Sequence, residues 1–225
     1  MKNNPFNICT FDPESNCKDC NNKMIINCKS DKSLQKLSVQ IHLSLIIIAL
    51  IGLLATSTIV NNWWIVIIYI LFVILFFFVI EVRLTCSHCP YYAEKTKRLN
   101  CPENFIAIKI WKFNPEPMNR FEKICSVTGF VFIGGYPILA QLYGLYYFIT
   151  QYTNINLIII IGLAGIFIAT IIILLLFVSL FINLFCIECI NFSCPFNKVP
   201  KEIRNEYIKR NPILKNAWEK KGYKF

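Results

Sequence analysis

The chain has 225 residues, 56% hydrophobic and only 16% charged, and its apolar residues fall into four long runs. Runs of that length exclude an ordinary soluble domain, because about 20 apolar residues make a helix that crosses ~30 Å of hydrocarbon. The net charge of +10 does not point to nucleic acid: membrane orientation and attraction to anionic lipid head groups, about 1 kcal/mol per near-surface base, account for it.

Residues 1–36 form a polar N-terminal segment. About forty mostly polar residues precede the first apolar run, so no secretory signal is expected. The segment carries Cys9, Cys17, Cys20 and Cys28, spaced C-x7-C-x2-C-x7-C. A CxxC pair chelates one ion because its tight turn aims both sulfurs inward, and the outer cysteines complete a tetrahedral four-thiolate site. The ion stays open between zinc, iron and an iron–sulfur cluster. A stretch too polar to fold alone is the kind that metal binding organises.

Residues 37–185 form the membrane domain. The first run is roughly Leu43 to Val60 and the second Trp63 to Ile80, with only Asn61 and Asn62 between them. His42 is expected at the inner interface. A polar loop, 82–124, follows and holds Cys86, Cys89 and Cys101. Its Lys109–Phe113 stretch, with Pro115 and Pro117, reads as a turn, and Asn119 as the start of a short helix. The third run is roughly Cys125 to Ile149 and the fourth Leu157 to Phe185, joined by the polar turn Thr150 to Asn156. The spans therefore make two tight helical hairpins. Gly129, Gly134, Gly135 and Pro137 suit a kink or close packing in the third span. Gly162, Gly165 and Ala169 read as a helix contact face on the fourth. Trp63, Trp64, Tyr143, Tyr146, Tyr147 and Tyr152 read as an aromatic belt at the outer ends.

The fourth run is about 29 residues, or ~44 Å at 1.5 Å per residue. It must tilt or project, carrying the next cysteines on a stalk. Residues 186–225 contain Cys186, Cys189 and Cys194, then two short amphipathic helices. Pro200 opens the first, with Ile203 and Tyr207 on one face. Asn211-Pro212 caps and opens the second, with Ile213, Leu214, Ala217 and Trp218 apolar and Gly222 as the stop.

Lysine and arginine set the orientation. All 23 lie in the N-terminal segment, the central loop and the C-terminal segment; the two short turns carry none. An even number of spans puts those three segments on one side, and the positive-inside bias makes that side cytoplasmic. The expected location is a prokaryotic plasma membrane with both termini in the cytoplasm.

All eleven cysteines then face a reducing compartment, where spaced thiols mean metal or redox chemistry rather than disulfides. The groups Cys86, Cys89, Cys101 and Cys186, Cys189, Cys194 both read C-x2-C, a spacer, then Cys-Pro, each just beyond a span. The chain thus reads as a direct repeat of hairpin plus three-cysteine knuckle, with a pseudo-twofold axis along the membrane normal. Six thiols admit one four-iron cluster, two clusters with three ligands each, or two zinc ions, and His88 or Cys125 can supply a further ligand. The Cys-Pro pairs favour iron–sulfur; structural zinc is the alternative.

No Asp, Glu, Lys or Arg lies at depth in any run, which argues against an ion-coupled transporter. The only histidines, His42 and His88, are not at mid-membrane, so no haem is expected. No catalytic motif is present. Four spans with a cysteine-rich loop after the second match the topology of DHHC-type protein acyltransferases, but Cys86-Ser-His-Cys89 is not a DHHC tetrad.

The stretches CSHCPYYAEKTKRLNC, KIWKFNPEPMNRFEK and CINFSCPFNKVPKEIRNEYIKRNP resemble a family of uncharacterised cysteine-rich membrane proteins of anaerobic prokaryotes, and the likeness covers most of the chain. A looser likeness is to the membrane ferredoxins of nitrate and nitrous-oxide respiration, which place C-x3-C-P motifs beside a small helical bundle. This chain has C-x2-C-P and C-x4-C-P. That resemblance implies iron–sulfur centres and electron exchange with a membrane or cytoplasmic redox partner. The alternative is a zinc-structured membrane scaffold or docking protein.

Overall fold

A computed structural model describes residues 4–12, 25–29, 31–104, 107–152 and 156–225. Among these residues the protein is all-α, and one isolated antiparallel bridge, Arg98 with Ile108, is its sole β pairing. Four helices are long and apolar enough to cross a bilayer: Lys32–Val60, Trp64–His88, Arg120–Gln151 and Leu157–Cys186.

Asparagine and aspartate side chains set the helix ends. Asp31 Oδ1 accepts the Ser33 N–H at 2.8 Å and starts α1 (Lys32–Val60). The helix stops at Asn61, which adopts the left-handed conformation (φ 53°). The Asn62 N–H then closes on the Ser57 carbonyl at 3.0 Å, completing a Schellman motif. Asn62 also opens α2 (Trp64–Leu75) by accepting the Trp64 N–H at 3.1 Å. A two-residue asparagine turn thus makes the first hairpin.

The second span does not end as a regular helix. Phe76–Ile80 winds as a π-helix before α3 (Glu81–Leu84) and the 3-10 turn Cys86–His88. The loop that follows leads to α4 (Arg120–Gln151), which runs through Pro137. The short helix expected from Asn119 is instead the first turn of this span. Asn119 is its cap: its Oδ1 accepts the Glu122 N–H, and Glu122 Oε2 accepts the Asn119 N–H, both at 2.9 Å. Asn156 starts α5 (Leu157–Leu180) by accepting the Ile158 N–H at 2.9 Å. This span too ends in a π-helix, Phe181–Cys186. Wide turns of this kind concentrate at functional sites, and here both lead directly into cysteine motifs. The last helices are α6 (Lys201–Arg210) and α7 (Pro212–Lys220). Pro200 stands just before the first, Pro212 opens the second, and Gly222 follows with φ 81°.

The chain divides into two compact units. One comprises Val39–Phe76 and Thr128–Ser179. Its centre is Ala49, Leu53, Val66 and Tyr69. Polar side chains tie its helices: Tyr69 Oη donates to the Ile133 carbonyl (3.3 Å), Tyr136 Oη to the Ile65 carbonyl (2.8 Å), and Gln141 pairs with Thr170 (3.1 Å). His42 meets the Phe177 ring edge-on, 5.0 Å between centroids. Gly129 lies against Phe76, Gly144 against Thr56 and Gly134 against Leu174. The small-residue face of α5 corrects an expectation: a Cβ added at Gly162 or Gly165 meets nothing within 4 Å, so these glycines line no helix contact. Trp63, Trp64, Tyr143, Tyr146 and Tyr152 are exposed, as an aromatic belt requires.

The other unit gathers the polar segments: Met1–Ser38, Phe77–Val127 and Leu180–Phe225. Its core mixes Cys86, Cys89 and Cys101 with Val82, Tyr91, Tyr92, Phe192, Tyr207, Ile208, Leu214 and Trp218.

Candidate metal centre

The second cysteine group is held by a woven loop. Cys89 has extended backbone and opens the 3-10 turn Pro90–Ala93, with the Tyr92 N–H on its carbonyl at 2.8 Å. Lys109 threads that turn: its Nζ donates to the carbonyls of Tyr91 (3.3 Å) and Glu94 (2.6 Å) and lies 5.4 Å from the Tyr92 ring centre. Tyr92 Oη accepts the Trp111 N–H at 3.0 Å. Leu99 and Ala107 pair through backbone at 3.0 Å, which closes the Cys101 loop. The start of α1 then braces that loop. Gln35 Nε2 donates to the Cys101 carbonyl (3.4 Å), and Ser38 Oγ to the Glu103 carboxylate (3.4 Å).

The third group is held by asparagines. Asn191 Nδ2 donates to the Thr85 carbonyl at 2.9 Å, and its Oδ1 accepts from Ser193 Oγ at 3.1 Å. Asn197 Nδ2 donates to the Cys189 carbonyl at 2.6 Å. The Lys198 N–H reaches the Cys186 carbonyl at 2.9 Å. Because Thr85 immediately precedes Cys86, the Asn191–Thr85 bond staples one cysteine segment to the other.

The thiols of these groups are close enough to interact. Cys189 lies within electrostatic reach of Cys89, Cys101 and Cys194. Cys89 lies within reach of Cys101 and Cys194, Cys86 within reach of Cys89, Cys101 and Cys194, and Cys186 within reach of Cys194. The six thiols therefore occupy one neighbourhood. Among the described residues, however, no three Cys, His, Asp or Glu side chains converge tightly enough to hold an ion.

Burial decides their protonation. It pushes the Cys89 and Cys189 thiols well above the ordinary range, and neighbouring thiols add to the shift. Burial pushes Cys101 up to about 12 against the pull of the Glu103 and Asn104 N–H groups. Cys194 is pushed up to about 11 by burial against the pull of the Phe196 N–H. Without a cation these groups are neutral thiols at pH 7. Glu103 is raised to about 8, by burial first and then by Glu81, so it is largely uncharged there too.

The remaining sites behave differently. Cys9 docks on the C-terminal helices: buried Asn211 accepts the Cys9 N–H at 2.7 Å and directs Nδ2 to Cys9 Sγ at 3.4 Å. Cys28 follows Asn27, whose N–H reaches the Glu188 carbonyl (2.9 Å) and whose carbonyl accepts from Tyr91 Oη (2.7 Å). Cys17 and Cys20 lie outside the described residues. His88 is buried, with Nδ1 on the Glu116 carbonyl at 2.6 Å and Nε2 facing Glu122 Oε2 at 3.4 Å. That Nε2 contact has ion-pair distance without hydrogen-bond alignment. Both ring nitrogens thus face oxygen atoms. Cys125 is half-buried on the first turns of α4, beside Ser126, whose hydroxyl meets that of Thr85 at 3.1 Å.

The supporting amides of Asn191, Asn197 and Asn211 have a sequence signal, since each lies two or three residues beyond a cysteine or opens a helix at Pro. No known family, curated protein or solved structure matches this chain.

Proposed function

We propose that this chain is an integral protein of a prokaryotic plasma membrane, with both termini cytoplasmic, that binds metal through its cysteines and acts as an electron-transfer subunit. One observation carries the reading: two segments distant in sequence bring buried and half-buried thiols into one neighbourhood, where a proton or a metal must neutralise them. A core has cheaper residues than cysteine with which to fill space. The donor set is all sulfur, which suits iron–sulfur clusters and zinc. The Cys101-Pro102 and Cys194-Pro195 pairs favour iron–sulfur, and both π-helices lead into this layer.

When bound, an iron–sulfur cluster supplies a one-electron couple. The chain's residues do the rest. Tyr91, Tyr92 and Phe192, buried in the core that holds Cys86, Cys89 and Cys101, would keep water from those sulfurs, and the N–H groups that follow Cys101 and Cys194 favour negative charge there. Neutral Glu103 adds no repulsion at pH 7. A membrane or cytoplasmic redox partner exchanges electrons with this layer.

Iron, zinc and acid-labile sulfide analysis of anaerobically purified protein tests the proposal. Iron with stoichiometric sulfide is the expected result. Zinc without sulfide supports a zinc-structured scaffold instead, and protein free of both overturns metal binding altogether.

A further inference from the structure

The loop that closes around Cys101 carries an apolar tip that the core leaves in the open. Arg98 and Ile108 stand opposite each other in the antiparallel bridge. The Leu99 N–H on the Ala107 carbonyl and the Lys109 N–H on the Lys97 carbonyl, both at 3.0 Å, hold the pair. Opposite residues of such a pair project to one face. Arg98 is exposed there and Ile108 is 59% exposed. Successive side chains of extended backbone alternate between faces. Lys109 turns inward to the Tyr91 and Glu94 carbonyls (3.3 and 2.6 Å), whereas Ile110 is 60% exposed. Trp111, pinned by its backbone N–H on Tyr92 Oη at 3.0 Å, is 41% exposed.

Depth and charge say what covers this tip. Arg83 lies just past Ile80 on Trp64–His88, a helix long and apolar enough to cross a bilayer. Its guanidinium stands 5.8 Å from the Trp111 ring centre. Cationic side chains and tryptophan gather where a span leaves the hydrocarbon, so this contact sets the tip at headgroup level. Arg83, Arg98 and Lys112 are all exposed. The acidic residues of segment 83–112 are Glu94 and Glu103, and each has a carboxylate oxygen buried in the fold. A face that is apolar and cationic, with its acids turned in, complements an anionic lipid surface. The same charge repels a second copy of the face.

We infer that Ile108, Ile110 and Trp111 insert among the lipid headgroups on the loop's side of the membrane, with Arg83, Arg98 and Lys112 on the phosphates of anionic phospholipid. This rests on the membrane reading above and is independent of metal. Because the pairing of Leu99 with Ala107 closes the Cys101 loop, the anchor ties that cysteine loop to the membrane surface.

The test follows Trp111 fluorescence from the full-length chain in phosphatidylcholine nanodiscs, as the difference between the unaltered protein and Trp111→Phe. A minority of the lipid is brominated high on its acyl chains, phosphatidylglycerol in one series and phosphatidylcholine in the other. Trp111 should be quenched in both, and by phosphatidylglycerol at the lower mole fraction. At ~1 kcal/mol per near-surface base, each base contributes roughly fivefold to that preference. Arg98→Gln or Lys112→Gln should therefore bring the two series closer by about that factor. Ile110→Asp, at an exposed position, should diminish the quenching of Trp111 in both.

A Trp111 that stays unquenched overturns the inference and leaves the face to a protein partner. Equal quenching by the two lipids overturns the anionic site, and full quenching in Ile110→Asp overturns insertion of the tip. Should Trp111→Phe fail to fold, Trp63→Phe with Trp64→Phe, both at exposed positions, leaves Trp111 and the buried Trp218 as the emitters. Failure of the membrane reading is a distinct result, since Trp63 and Trp64 would then stay unquenched in Trp111→Phe as well.

Discussion

Asn191→Ala removes a side chain that joins the two cysteine segments directly. Asn191 is 4% exposed and makes two side-chain hydrogen bonds, to the Thr85 carbonyl and from Ser193 Oγ. Each such bond contributes about 1 kcal/mol net, and stranding a buried carbonyl costs about 1 kcal/mol more. The sum, about 3 kcal/mol, corresponds to roughly a 150-fold change in a local opening equilibrium. Hydrogen exchange of the protein in lipid nanodiscs reads it at three amides: Cys194, Asn197 and Lys198, bonded to the carbonyls of Asn191, Cys194 and Cys186 at 3.2, 3.1 and 2.9 Å. All three should exchange faster together, while amides in α4 keep their rates. Asn191→Asp, which keeps the shape but loses the donor to Thr85, should fall between. Unchanged exchange at all three amides in Asn191→Ala refutes the staple.

Gly129→Val should lower thermal stability in detergent, because even a Cβ there runs into the Phe76 ring, whereas Gly165→Val, facing open space, should leave it within about 0.5 kcal/mol. In metal-free protein, Cys101 and Cys194, with values of about 12 and 11, should resist alkylation at pH 8 until the chain is unfolded. The same shifts set a pH trend. Unfolded thiols lose protons near pH 9 while the folded ones keep theirs, so the stability of the metal-free protein should be greatest below pH 9 and fall as pH rises toward 12. Exposed reporter cysteines test the orientation: Asn62→Cys should react with an impermeant maleimide on intact cells and Lys224→Cys only after lysis, and the opposite pattern would invert the topology.

The spans were legible because hydrocarbon imposes a length on apolar runs, and Asn61-Asn62 and Asn211-Pro212 carry their turn chemistry in the sequence. The Asn119–Glu122 capping box was equally readable as N-x-x-E, yet the prolines before it suggested a separate short helix. The backward extension of α1 to Lys32 was hidden by its polar composition. That turn matters, since Gln35 and Ser38 brace the Cys101 loop. The candidate thiols could be named from spacing alone. The π-helices at Phe76–Ile80 and Phe181–Cys186 have no period that distinguishes them from apolar α-helix. Gly162 and Gly165 misled for a related reason: small residues permit a close contact without supplying a neighbour.

Redox titration of the anaerobically purified protein in nanodiscs, followed by visible absorption and electron paramagnetic resonance, tests the central claim most directly. A cysteine-ligated iron–sulfur centre should show a reversible one-electron transition between about −700 and +450 mV, with sulfide-to-iron absorption that bleaches on reduction. A colourless protein with no transition across that range, before and after reconstitution with iron and sulfide, would contradict an electron-transfer role.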